Sequence, residues 1–233
     1  MVIQWYGQAC FKITSGDLVI AIDPFSKDIG LTAPRFRADI VLVTHEHFDH
    51  SNVESISAAS SGHRSEERAS PSEAGREGAF VISGPGEYEV KGVYIQGLRT
   101  FHDKAQGKER GTNTIYKIEF EDLSILHLGD FGEGELREEV QSEIGDIDIL
   151  LIPVGGKYTI DADEAARVMK QIEPRIAIPM HYKIPGLKVG LDGVEQFLKE
   201  VGASKNQAQE KLVIKKKDMG EEEKTEVVVL KPV

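Results

Sequence analysis

Cysteine is nearly absent from this chain: Cys10 is the only one in 233 residues. A disulfide framework within the chain is thereby excluded, which fits a reducing cytoplasm. No apolar run approaches the roughly eighteen residues of a membrane-spanning helix, so no membrane span is expected. The first residues, Met1-Val2-Ile3-Gln4-Trp5-Tyr6, lack a basic stretch followed by an apolar one. No secretory signal is expected from them, and the cytoplasm is the expected compartment. Positive charge is in deficit, with 28 Lys and Arg against 39 Asp and Glu and a formal net charge of −11. Non-specific affinity for nucleic acid needs clustered cations and is expected to be weak. No Gly-x-Ser-x-Gly elbow is present and Cys10 shows no paired base, so covalent catalysis finds no support. No internal repeat recurs at a fixed period.

What is present suits a globular domain. Hydrophobic residues make up 40% and charged residues 29%, ordinary values for a packed protein. Strand-like runs occur at residues 11–14, 18–22, 40–44, 80–83, 93–96, 114–120, 123–128, 147–153 and 176–179. The first two flank Ser15-Gly16-Asp17 and read as a hairpin. Helical periodicity covers residues 134–144, 161–172 and 193–201, and Asp161 suits a helix N-cap. Early strands followed by strand–helix alternation predict a layered α/β protein in one domain, residues 1–233. Residues 57–78 are built from Ser, Ala, Gly, Glu and Arg and read as a mobile loop, best taken as an insertion. His63, within it, reads as solvated. Residues 212–214 and 225–230 read as a C-terminal hairpin. Its Val-rich strand offers an edge to a partner's sheet, a route to a homo-oligomer.

The densest chemistry lies in His45-Glu46-His47-Phe48-Asp49-His50, directly after the apolar run Ile40-Val41-Leu42-Val43-Thr44. Extended side chains repeat every two residues, so His45 and His47 point to one side and can grip one ion. Asp49 and His50 follow after a turn and can face a second. The helical metalloprotease pattern His-Glu-x-x-His fails, because the residue four after His45 is Asp49. Other strands also end on ligand-type side chains: residues 18–22 at Asp23, residues 123–128 at Gly129-Asp130, and residues 176–180 at His181. In α/β folds ligands gather at the carboxyl ends of strands, so these ends predict one shared site, which His102 can join. His127 alternates with Leu126 and Leu128 and reads as structural.

Together these residues resemble the metallo-β-lactamase superfamily. Its motifs match at Asp23, at His45-x-His47-x-Asp49-His50, at His102, at Asp130 and at His181. The resemblance covers nearly the whole chain. It implies a four-layer αββα sandwich with the site at one edge of its two sheets. It also implies two divalent metal ions, one held by His45, His47 and His102, the other by Asp49, His50 and His181. Asp130 would bridge both, and Asp23 would orient a ligand histidine by hydrogen bonding. Imidazole and carboxylate donors suit zinc first, with manganese or iron as alternatives. Trp5-Tyr6-Gly7, Ile152-Pro153-Val154-Gly155-Gly156 and Pro179-Met180-His181-Tyr182 are similar to the branch containing ascorbate-6-phosphate lactonase. Gln8 stands where that branch commonly has His, and Phe131 where it commonly has Thr.

Two ions about 3.5–4 Å apart can share a water and lower its pKa from about 15.7 towards about 7. Such a site attacks lactones, thioesters, amides or phosphodiesters, and the ligands alone do not choose among them. The branch resemblance implies a metal-dependent hydrolase using metal-bound hydroxide on a small anionic metabolite with a lactone or other ester-like bond. Asp49 and Asp130 are the expected catalytic carboxylates, Asp49 by orienting the water or passing a proton. Arg110, Lys157 and Tyr158 are candidate substrate contacts, since a guanidinium fork matches carboxylate or phosphate oxygens. A phosphodiesterase or nuclease of the same fold is one alternative, and the −11 charge counts against it. A non-catalytic metal-binding scaffold is another, and the intact ligand set counts against it. Gly84-Pro85-Gly86 lacks the third glycine of a dinucleotide fingerprint and reads as a turn into a strand.

Overall fold

The computed structural model describes residues 1–60, 78–219 and 224–233. Alternation of apolar and polar residues starts the first sheet: β1 (Val2–Gly7) buries Ile3 and Trp5 and half-exposes the residues between them. It pairs with β2 (Cys10–Ser15), which turns at Gly16, φ 54°, into β3 (Leu18–Ile22). This left-handed position suits the residue without a Cβ. β4 (Ile40–Val43) and β5 (Phe80–Ser83) extend the sheet in parallel, and β12 (Leu212–Val213) closes its other edge. The second sheet begins as an antiparallel meander of β6 (Gly86–Val90), β7 (Val93–Phe101), β8 (Thr112–Phe120) and β9 (Leu123–His127). It continues in parallel through β10 (Ile149–Pro153), β11 (Ile176–Met180) and β13 (Glu226–Val227).

Every residue of β4 is buried because both of its faces are covered. Ile40 and Leu42 join the main core between the sheets. Val41 and Val43 face outward and pack with Ala21 and with Ile56 of α1 (Val53–Ser60). On the far side, α2 (Glu138–Ile144), α3 (Ala162–Ile172) and α4 (Glu195–Glu200) add Val140, Val168 and Phe197 to the main core. The result is the expected αββα sandwich. Asp161 caps α3 in a reciprocal box, accepting from Glu164 N at 2.9 Å while its own N–H donates to Glu164 Oε2 at 3.1 Å. Among the described residues, no helix is long and apolar enough to cross a membrane.

Tyr116 of β8 fastens the two sheets at the end where the chemistry lies. Its buried hydroxyl donates to Val43 O at 2.9 Å and accepts from Gly84 N at 2.9 Å. Next to it, Thr114 N donates to Thr44 O at 2.9 Å. Parallel registers then align the strand ends: Ile22 lies opposite Leu42, and Pro153 opposite Met180.

The fold corrects several expectations. The C-terminal segments do not form a hairpin: β12 pairs with β1 in one sheet and β13 with β11 in the other. Each strand finds a longer apolar partner than its two-residue mate. Val227, Val228 and Val229 have buried side chains, and β13 is the outermost strand of its sheet. Helix α1 runs to Ser60 where a loop was expected from residue 57, because Ile56 finds an apolar seat on the sheet. The rest of that expected loop, residues 61–77 with His63, lies outside the described residues. Helix α2 starts at Glu138, four residues later than its periodicity suggests.

Replacing Tyr116 by Phe removes one buried donor–acceptor group that bridges the sheets. We expect a loss of about 1–2 kcal/mol and a melting temperature several degrees lower. An unchanged thermal unfolding curve would show that the bridge contributes nothing.

Candidate metal centre

The chain segments that follow β4, β7 and β11 converge on one buried carboxylate, itself carried after β9. Asp130 follows β9, and its Oδ2 lies 3.1 Å from His102 Nε2, 3.3 Å from His181 Nε2, 3.4 Å from His50 Nε2 and 4.0 Å from His45 Nε2. His102 follows β7, His181 follows β11 and His45 follows β4. His47 completes a group with His45 and His102, and Asp49 completes one with His50 and His181; within each group the ligand atoms lie within 4.8 Å of one another. His45, His50 and Asp130 form a third such group, so the hexapeptide's ligand atoms all lie in one cluster. The hexapeptide's turn is closed by His50 N donating to His47 O at 2.9 Å.

Asp23 sets the tautomers of two of these rings. His50 Nδ1 donates to Asp23 Oδ2 at 3.0 Å. Thr44 Oγ1 donates to the same oxygen at 2.7 Å and accepts from His45 Nδ1 at 3.0 Å. These bonds place a proton on Nδ1 of each ring and turn each Nε2 towards Asp130. Asp23 is fully buried and also accepts from Thr44 N at 2.8 Å. Asn113 holds the Asp130 turn: its Oδ1 accepts from Asp130 N at 3.0 Å and its Nδ2 donates to Leu128 O at 2.9 Å.

Two glycines let the backbone close on the ligand loops. A Cβ at Gly132 would strike the His102 carbonyl, and one at Gly155 the His181 carbonyl. The requirement at Gly155 is thus a neighbouring main chain.

The electrostatics are those of a site built for a cation. Burial drives the His45 ring down to about 2, aided by the His50 ring beside it. Burial likewise lowers His47. Burial also opposes charge on His50, but Asp130 and Asp23 overcome it and hold that ring well above its usual value. Burial opposes ionisation of Asp130 too, and His181 and His50 hold it well below the carboxylate range. Six buried side-chain atoms lack a hydrogen-bond partner among the described residues: Gln8 Oε1, His45 Nε2, His50 Nε2, His102 Nδ1, Asp130 Oδ1 and His181 Nδ1. All six belong to this cluster. Buried polar groups are normally satisfied, so the donor set fits divalent cations coordinated here.

His127 stays outside the centre, as expected. Its Nε2 donates to Ala9 O at 2.8 Å and its Nδ1 accepts from Gly129 N at 3.0 Å, which commits both nitrogens. Arg110 and Tyr158 line a cleft of about 570 Å³ together with His47, Asp49, His102, Asp130 and His181. The Arg110 guanidinium lies 5.8 Å from the Tyr158 ring centroid. Lys157 lies in the adjoining groove instead, its ammonium 3.7 Å from Asp192. Lys188, Val189 and Phe48 also line the cleft and were not anticipated. Phe48 sits within the ligand hexapeptide with 63% of its surface exposed, and that placement was its only signal. Lys188 carried none.

Asp23→Asn or Thr44→Val should weaken metal binding on the order of 10–100-fold, by releasing the ring tautomers. Competition titration with a chromophoric chelator measures this, and unchanged affinity in both variants would remove the orienting role. A second expectation concerns pH. Burial holds the His127 pKa below the usual histidine value of about 6.5. Its contribution to stability is therefore complete above about pH 6.5 and is lost as pH falls from there through the folded-state value. His127→Gln should flatten the acid decline of the melting temperature below about pH 6.5; a parallel decline in both proteins would exclude it.

The chain matches the β-lactamase superfamily domain over residues 2–181. It is 30% identical to a metal-dependent hydrolase of Pyrococcus horikoshii, over 99% of this chain and 96% of that one. It is 31% identical to one of Thermococcus onnurineus with the same coverage. Among solved structures, a metallo-β-lactamase superfamily protein from Thermotoga maritima superposes with a TM-score of 0.72 at 33% identity, covering 98% of this chain and 97% of that one. Sequence, fold and convergent histidines agree: this chain belongs to the metal-dependent hydrolases of the metallo-β-lactamase superfamily.

Proposed function

We propose that this protein hydrolyses a lactone or other ester-like bond in a small anionic metabolite, with two divalent cations, zinc by preference, as cofactors. The observation that carries the reading is the placement of Asp130 Oδ2 within 4.0 Å of four imidazole nitrogens. One ion would be held by His45, His47 and His102, the other by Asp49, His50 and His181, with Asp130 between them. Nitrogen and carboxylate donors of this kind favour zinc and also accept manganese or iron. When bound, such ions lower the pKa of water towards about 7 and polarise the oxygen of the bond under attack.

The protein's own groups do the rest. Asp49 is partly open to the cleft, its side chain 15% exposed. It would orient the attacking water and carry its proton towards the leaving oxygen. Arg110 and Lys188 are the lysine and arginine side chains of the cleft. In a chain of net charge −11, their presence there favours a substrate carrying carboxylate or phosphate. Tyr158 steadies Arg110 through its ring. Phe48 and Val189 form the apolar side of the cleft, which limits water around the developing charge.

Purified protein should hydrolyse anionic lactones or esters in a panel that also contains phosphodiesters and thioesters. A chelator should abolish turnover and Zn2+ restore it. Arg110→Ala and Lys188→Ala should each raise KM about tenfold for anionic substrates, the loss expected for one charge-assisted contact of about 1.5 kcal/mol. Neutral analogues should be unaffected. Chelator-resistant turnover would remove the reading, and preference for the phosphodiesters would redirect it.

A further inference from the structure

Gln8 follows the end of β1 in the left-handed region, φ 48°, and is fully buried. A side chain with a Cβ is disfavoured in that conformation, and such strain persists where neighbours over-determine it. The neighbours here are unusual. The Gln8 carbonyl accepts from Trp5 Nε1 at 2.9 Å and from His181 N at 3.0 Å. The Gln8 amide Nε2 donates to Asp49 Oδ2 at 3.3 Å. One residue thus touches two of the three members of the Asp49–His50–His181 group, one from each sheet. It touches no member of the other group through a hydrogen bond among the described residues. The amide orientation is settled by its partner, because the reverse flip would set oxygen against a carboxylate oxygen. That orientation leaves Gln8 Oε1 buried and unpaired, a cost that packing alone gives no reason to bear.

We infer that Gln8 is a positioning residue for one half of the centre: its amide holds Asp49, and its carbonyl holds His181, in the places that the second cation requires. The inference rests on the two-cation reading above. Any residue at this position keeps the carbonyl, so a side-chain change tests the hold on Asp49 alone. Removing the amide lets the Asp49 carboxylate rotate away, while His45, His47 and His102 keep their own supports.

The test is a Zn2+ titration of the chelator-stripped full chain against a chromophoric competitor, with thermal unfolding in parallel. Wild type should bind two equivalents. Gln8→Leu should weaken one of them on the order of 10–100-fold and leave the other unchanged. His181→Ala should abolish the same equivalent, which assigns it to this half. Gln8→Glu preserves shape but sets a carboxylate against Asp49, and it should show the same selective loss; it decides the matter if Gln8→Leu does not fold. Two unchanged equivalents, or equal weakening of both, would overturn the inference. Wild-type protein that binds two Zn2+ yet hydrolyses nothing would remove the hydrolase reading alone, whereas binding of fewer than two would overturn both.

Discussion

The buried carboxylate of Asp130 is the constraint around which the rest is arranged. A fully desolvated anion is costly unless opposite charge and hydrogen-bond donors surround it. Here four imidazole edges face it, two from the 45–50 loop and one each from the ends of β7 and β11. Those rings cannot all be protonated together, since crowding and burial discharge His45 while His50 takes up charge. The cluster's unpaired buried nitrogens and carboxylate oxygen are donors of the kind that a divalent metal takes, and metal binding of that kind couples to local order.

The framework meets this demand with local cost at the strand ends. Gln8, Asp23 and His181 all sit at positive φ, between 46° and 52°, at the points where β1, β3 and β11 stop. An abrupt left-handed residue turns the chain out of the sheet within one position. It thereby aims a side chain, or in Gln8 a carbonyl as well, into the gap between the sheets. Tyr116 and the Thr114–Thr44 bond close the sheets at that same end. The rigid core lies below and the chemistry lies on strained turns above it, the usual division between scaffold and site.

Much of the centre was legible along the chain, for specific reasons. The hexapeptide packs ligand types at a spacing that extended backbone and one turn bring into one cluster. Asp23, Asp130 and His181 are each announced by the apolar run they terminate. Thr44 and Asn113 were not legible, because a buried hydroxyl or amide that relays a hydrogen bond has no local signature. The C-terminal strands were misassigned for a related reason. Two short apolar runs across a bend suggest a hairpin, but the pairing energy lay with distant partners, Leu212 with Ile3 and Val227 with Ala177.

Residue order alone determined the chemical inventory: which donors exist, in which sequence, and which of them share a strand end. Periodicity along the chain encodes this, because side-chain direction repeats locally. Only the tertiary structure decided which donors meet, how their tautomers are set and where charge resides. It also separated Lys157, turned towards Asp192, from Arg110 and Lys188 in the cleft. Those outcomes depend on the packing of one sheet against another, and no local pattern specifies the distance between residues more than a hundred positions apart.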